Sequence, residues 1–228
     1  MRLHRALLAL LVPALAAAAC AGHAPPPEKP AAPAALAAAE PVAAEPVAAA
    51  PAPPDRGDGA YPGFRVPAFK STVRRPTSGG AAEEAFDSRA TAKPTLYVIN
   101  STRCPTCIQY ADRVKALETK YMPLGVDVVH VYPNRKEPAD EKKAWHAKQG
   151  FLGGMIVDAD ASIARSLEVE RTPTVYLVST RGVIVYRGGI DGDAFKKPEE
   201  PSEPWAAAAI EAHLAGRPIA EDTTEPAG

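Results

Sequence analysis

Proline is spread so unevenly along this chain that it decides how much of the chain can fold. Of 25 prolines in 228 residues, ten fall between Cys20 and Ala60, together with sixteen alanines. Proline lacks an amide donor and fixes φ, while alanine brings too little apolar area to offset the cost of ordering the backbone. Residues 20–59 are therefore expected to form a disordered tether, extended and semi-rigid, with the near-repeat Ala39-Glu40-Pro41-Val42-Ala43-Ala44-Glu45-Pro46-Val47-Ala48 at its centre. About 135 residues remain to build a core, enough for one domain. Lys and Arg number 26 against 27 Asp and Glu. A chain so nearly neutral has no strong field of either sign, which argues against a dedicated nucleic-acid binder.

Ahead of the tether, Arg2, His4 and Arg5 precede the apolar run Leu7–Val12 and an alanine stretch ending at Cys20. Residues 1–19 read as an export signal, too short in their apolar part to span a membrane. The string Leu15-Ala16-Ala17-Ala18-Ala19-Cys20 resembles a bacterial lipobox, with Ala17 standing where that pattern prefers leucine. The resemblance implies that Cys20 is lipidated and becomes the mature N-terminus. Acyl chains contribute roughly 0.8 kcal/mol per buried CH₂ and would hold the protein on a membrane without a spanning helix. The alternative is an ordinary Ala-x-Ala cleavage site with an incidental cysteine and a soluble periplasmic product. The expected location is the periplasmic side of a bacterial cell envelope, lipid-anchored. Only Cys104 and Cys107 accompany Cys20, too few for a disulfide scaffold, so one anchor and one close pair are expected.

Residues 60–79 read as an irregular lead-in, Gly79-Gly80 as a boundary, 80–219 as the folded domain and 220–228 as a disordered tail. Within the domain, Ala81–Phe86 suggests a short helix and Pro94–Asn100 a buried strand. After Cys104-Pro105-Thr106-Cys107, the spacing of Ile108, Ala111, Val114, Leu117 and Tyr121 predicts an amphipathic helix. Further strands are expected at 126–132, 155–157, 173–178 and 183–186, and helices at 139–149, 161–167 and 205–214. Thr180-Arg181-Gly182 suits a hairpin turn. Strands alternating with helices and closing on a hairpin imply an α/β fold, a central mixed sheet flanked by helices.

The Cys-x-x-Cys pair lies between an apolar strand and an amphipathic helix, the context a dithiol site requires. At a helix N-terminus, unpaired amides and the aligned peptide dipoles stabilise a thiolate on Cys104, and Arg103 adds favourable charge. Cys107, one turn later, would resolve a mixed disulfide. Pro105 costs little at the first helical position, where its missing amide would have had no partner. Structural zinc would need two further ligands, and no second Cys-x-x-Cys is present. A purely structural disulfide is the other alternative. Among the histidines, His130 is expected to be a satisfied core residue, His146 a solvated one and His213 a helix C-terminal one. Glu83, Glu84 and Asp158 are expected at the surface or as caps. No metal is expected, although copper handling by the thiols stays open as a binding alternative.

Together, Cys104-Pro105-Thr106-Cys107, Arg171-Thr172-Pro173-Thr174 and Thr180-Arg181-Gly182-Val183-Ile184-Val185-Tyr186-Arg187-Gly188 resemble the thioredoxin superfamily. The likeness is to its secreted thiol-disulfide oxidoreductases and redoxin-like members, over about residues 81–219. It implies a thioredoxin-like fold in which Pro173 is cis and faces the dithiol, and Thr172 pairs through its backbone with an extended substrate. The 69-residue separation of Cys104 and Pro173 implies an insertion of the kind redoxin-like relatives carry. Implied partners are protein thiols and disulfides and an upstream thiol electron carrier, with no cofactor beyond the Cys104–Cys107 disulfide itself. Two departures stand out. Asn100-Ser101-Thr102-Arg103 replaces the tryptophans that usually precede the pair, and Val98 replaces a buried acid. A thiol peroxidase is the enzymatic alternative, with Ser101 three positions before Cys104 and Arg171 as the arginine beside the peroxide.

Overall fold

A computed structural model of the chain describes residues 56–193 and 203–227. The export signal, Cys20 and nearly all of the tether lie outside the described residues. So does the first of the two units into which the chain divides, residues 1–43; everything below concerns the second, residues 44–228.

Seven strands form one mixed sheet: β1 (Lys70–Thr77), β2 (Gly80–Asp87), β3 (Thr95–Ile99), β4 (Asp127–Tyr132), β5 (Gly154–Val157), β6 (Thr174–Val178) and β7 (Ile184–Gly188). Four helices connect or cover them: α1 (Pro105–Tyr121), α2 (Ala139–Gln149), α3 (Ser162–Ser166) and α4 (Trp205–Leu214). The strand order is β2-β1-β5-β4-β3-β6-β7. β3, β4 and β5 are parallel, joined through α1 and α2, while β1, β2, β6 and β7 attach antiparallel at the flanks. This is the thioredoxin-like α/β architecture, with α2 and β5 inserted between the dithiol helix and the strand led by Pro173.

Every residue of β3 is buried, as expected of a central strand covered on both faces. Its side chains alternate between two cores. Leu96 and Val98 join Val114, Tyr121, Val128, Leu177 and Ile210 under α1 and α4. Tyr97 and Ile99 join Val131, Ile156, Leu167 and Tyr176 on the opposite face.

That second core holds a departure from the sequence reading. Ala81–Phe86 is not a helix but most of β2, paired with β1 in a hairpin whose register runs from Lys70 opposite Asp87 to Thr77 opposite Gly80. The helix-forming alanines and glutamates lose to cross-strand pairing: Arg74 meets Glu83 at 3.6 Å, Arg75 hydrogen-bonds Glu84, and Phe86 stacks on Phe69 at 6.0 Å. Glu83 and Glu84 are exposed there. Gly79 lies in the hairpin turn and Gly80 opens β2, so the pair is not a boundary, and the lead-in before it carries Val66 and Val73 fully into the core.

At the other flank, Gly182 adopts φ +74° and donates its amide to the Ser179 carbonyl, closing the expected β6–β7 turn. In the 220–228 tail, expected to be disordered, residues 222–224 lie instead along β7. Thr223 pairs in parallel with Arg187, and the Thr224 amide donates to the Arg187 carbonyl at 3.0 Å. A side chain at Gly188 would collide with the Thr224 hydroxyl, its Cβ falling only 2.2 Å away.

Candidate active site

β3 ends at Ile99, and the Asn100 amide is held by the Val131 carbonyl at 2.8 Å. Four residues later Cys104 caps α1 in an extended conformation, followed by Pro105 in the first turn. The free amides of that turn have no intrahelical acceptors. They gather around the Cys104 sulfur. Cys104 is partly exposed and Cys107 is buried; both are free thiols.

β6 lies antiparallel to β3, with Ile99 opposite Thr174, so the residues leading into β6 reach the same end of the sheet. The Thr172–Pro173 peptide is cis. The Cys104 thiol sits 3.2 Å from the Thr172 carbonyl oxygen, so the dithiol end of α1 and the Thr172–Pro173 peptide lie side by side.

The two thiols titrate in opposite directions. Burial and the contact with the Thr172 carbonyl both favour the protonated form of Cys104. They are outweighed by donors to its thiolate: the Thr172 side chain, the Cys107 amide, the Cys107 thiol and the Thr106 amide, which together hold its pKa below the ordinary thiol value. Burial pushes Cys107 up to about 12, and the nearby Cys104 sulfur acts in the same direction against hydrogen bonds from Thr172 and the Ser101 amide. The two thiols thus differ in how readily each ionises.

The redoxin family profile matches residues 62–197, more than half of the chain and including the β1–β2 hairpin. The chain belongs to the redoxin family. An uncharacterized conserved protein from Geobacillus kaustophilus has the same fold, with a TM-score of 0.58 and 21% identity over 71% of this chain and 86% of that one. A hypothetical protein from Sinorhizobium meliloti 1021 gives a TM-score of 0.57 and 21% identity over 71% of this chain and 88% of the other. A redoxin fold with a close cysteine pair at a helix N-terminus supports thiol-disulfide chemistry.

Arg103 lies next to Cys104 in sequence, but its guanidinium turns away and pairs with Glu141 through Nε at 3.0 Å and Nη2 at 2.7 Å. Ser101 donates its hydroxyl to Glu137, and Arg171 pairs with Glu225 at 2.7 Å. Glu137, buried in the loop between β4 and α2, was missed by the sequence reading. Its local signal is weak, a glutamate before Pro138 in a run of charged residues.

The three described histidines meet other partners. His130 is a satisfied core residue, accepting from the Asn100 amide group at 2.8 Å and facing Glu118 at 2.7 Å. His146 is buried rather than solvated: the Tyr132 hydroxyl donates to its Nδ1 at 2.9 Å, and its Nε2 faces the Gly153 carbonyl at 3.2 Å. His213 ends α4 as expected, half-buried and facing Arg181, and both influences lower its pKa. Asp158 is a buried cap, accepting the amides of Ile163 and Ala164 at the start of α3. Among the described residues, no group of three or more histidines, cysteines or carboxylates could hold a metal ion.

Proposed function

We propose that this redoxin is an extracytoplasmic thiol-disulfide oxidoreductase that exchanges disulfides with protein substrates through Cys104 and Cys107. The reading rests above all on the opposed environments of the two sulfurs at the start of α1, one partly exposed and depressed in pKa, the other buried and raised. The Cys104 thiolate attacks a substrate disulfide, forming a mixed disulfide and expelling one substrate thiolate. Cys107 loses its proton to solvent and attacks the Cys104 sulfur, forming the intramolecular disulfide and releasing the second substrate thiolate. The substrate is reduced by two electrons and the pair is oxidised by two; a reduced thiol carrier reverses the change. Thr172 would lie beside an extended substrate strand, and Pro173 shapes that contact.

The peroxidase alternative needs a hydroxyl and an arginine beside the attacking sulfur. Both candidates are engaged elsewhere, Ser101 with Glu137 and Arg171 with Glu225. Location rests on the sequence. The lipobox-like stretch would place Cys20 on a membrane and let residues 20–59 give the domain reach, while no helix among the described residues is long and apolar enough to cross one.

Cys107→Ser, expressed in a bacterial envelope, is expected to accumulate mixed disulfides between Cys104 and defined proteins, visible as adducts lost on reduction. In the same cells the wild-type chain should fractionate with membranes and Cys20→Ala should not. An absence of adducts, with rapid peroxide reduction by the wild type, would replace the oxidoreductase reading with the peroxidase one.

A further inference from the structure

The C-terminal tail continues from the edge of β7 toward the first turns of α1, and its anchorage changes along the way. Up to Thr224 it is firmly held. The Arg187 amide donates to the Asp222 carbonyl at 2.9 Å, while the Thr224 hydroxyl lies 2.7 Å from that of Tyr186 and accepts the Gly189 amide at 3.0 Å. Gly189 lets the tail approach, since a Cβ there would fall 2.8 Å from the Glu225 carbonyl oxygen. Past Thr224 the hold is weaker. Glu225 reaches Arg171 by one contact, Oε1 to Nη1 at 2.7 Å, between side chains that are 64% and 46% exposed. An ion pair so open to water contributes little. Ala227 then shares a surface cavity with Thr106 and Gln109 of α1, so the tail meets the neighbourhood of the dithiol from two sides.

Arg171 stands one residue before Thr172, whose carbonyl lies 3.2 Å from the Cys104 sulfur. Its own carbonyl accepts the Thr174 hydroxyl at 2.7 Å, which ties its backbone to the start of β6. The guanidinium offers five donors in a planar fork. Among the described residues Glu225 is the carboxylate it meets, and through a single nitrogen. A substrate segment lying beside Thr172 passes this fork, where a carboxylate on the segment would find room to bind with both oxygens. We propose that Arg171 is a specificity-determining residue: it receives an acidic side chain next to the reactive cysteine of an extended protein substrate, and Glu225 occupies that place while no substrate is bound. The inference rests on the oxidoreductase reading and narrows its substrate class. The weak hold past Thr224 suits it, because Glu225 can leave Arg171 while the tail stays fixed on β7.

The test uses the reduced full chain and two short synthetic peptides, each with one cysteine joined by a disulfide to an aromatic thiol that is coloured when released. One peptide has glutamate on both sides of the cysteine and the other has glutamine. Cys104 attacks the peptide sulfur, the aromatic thiolate leaves, and its colour gives a second-order rate constant. Dividing each constant by that of the same peptide with dithiothreitol removes the intrinsic difference between the peptides. The wild type should favour the acidic peptide about twofold. In Glu225→Gln, where the competing carboxylate is gone, the preference should rise to about fivefold, the upper range for an exposed ion pair. It should shrink at high salt, as interactions between exposed charges do. In Arg171→Gln the two peptides should react within about 1.5-fold of each other. An uncharged aromatic disulfide without a peptide should react with both variants within about twofold of wild type, because neither substitution touches the dithiol.

Equal rates for the two peptides in Glu225→Gln, or a preference that survives in Arg171→Gln, would overturn the assignment. So would a fall with the uncharged disulfide as large as the fall with the acidic peptide. A wild-type protein that releases no colour from the uncharged disulfide would sink the oxidoreductase reading itself, whereas normal release there with no acidic preference in Glu225→Gln sinks only the role of Arg171.

Discussion

Two cysteines separated by one helical turn would titrate alike in water; here the difference comes from what faces each sulfur. At Cys104 the decisive group is the side chain of Thr172, the largest of the influences that lower its pKa. In Thr172→Val the carbonyl remains but the hydroxyl donor is gone. The thiolate loses stabilisation, the pKa rises, and the thiolate fraction at pH 7 falls. Alkylation of Cys104 at pH 7 is expected to slow about fivefold, as the loss of one hydrogen bond of about 1 kcal/mol implies. In the wild type, its alkylation profile should have a midpoint below the ordinary thiol range, with Cys107 unreactive until far higher pH. Equal profiles for Thr172→Val and wild type, measured by mass spectrometry of each cysteine, would remove Thr172 from the account. Cys104, Cys107, Thr172 and Pro173 could be read from the sequence because their chemistry is written in short local motifs. Glu137 could not. It lies 33 residues beyond Cys104, and only the return of the chain through β4 brings it under Ser101. Arg103 shows the converse: its place beside Cys104 suggested a charge effect, but a glutamate on another element claims its side chain.

At the scale of elements, α2 shows where sequence patterning runs out. Its eleven residues are mostly polar and read as a surface helix, yet Lys142 and His146, one turn apart, both point inward. Lys142 finds the Tyr132 carbonyl at 3.0 Å, while His146 takes the Tyr132 hydroxyl and faces Phe151. A polar side chain with a buried partner looks the same in sequence as one facing water. Burial, with His130 close by, holds His146 down at about 3. In the unfolded chain the same histidine titrates near its ordinary value of about 6.5. Between these values the unfolded state binds the extra proton, so stability is present above about pH 6.5 and is lost as pH falls toward 3. The loss from this residue should reach about 2 kcal/mol by pH 5. Urea unfolding at pH 7 and pH 5 checks it: His146→Gln should be less stable than wild type at pH 7, but its drop between the two pH values should be about 2 kcal/mol smaller. Equal drops would mean that His146 is not held neutral in the folded protein.

For the whole molecule, the question is where the domain begins. The glycine pair at 79 and 80 looks like a boundary, and the α/β alternation after it is self-contained, so a domain starting at residue 80 is what local signals suggest. Packing points the other way. β1 lies between β2 and β5, so its removal leaves β2 without a partner and exposes the edge of β5. It also takes away Val66 and Val73, both fully buried, at about 1.5–3 kcal/mol each. Two further contacts go with them: Phe69, which packs between Phe86 and Tyr97, and the paired hydrogen bonds of Arg75 to Asp127, each at 2.8 Å. Together these approach the total stability of an ordinary domain, about 5–15 kcal/mol. A chain beginning at residue 80 should therefore show no cooperative thermal transition and should aggregate through the exposed strands. One beginning at residue 56 keeps every one of these contacts and should unfold cooperatively, with Tm within a few degrees of the full-length protein. Comparing the two by calorimetry separates the alternatives, since a cooperative transition in the shorter chain would show that the hairpin is an accessory to the redoxin domain rather than part of its core.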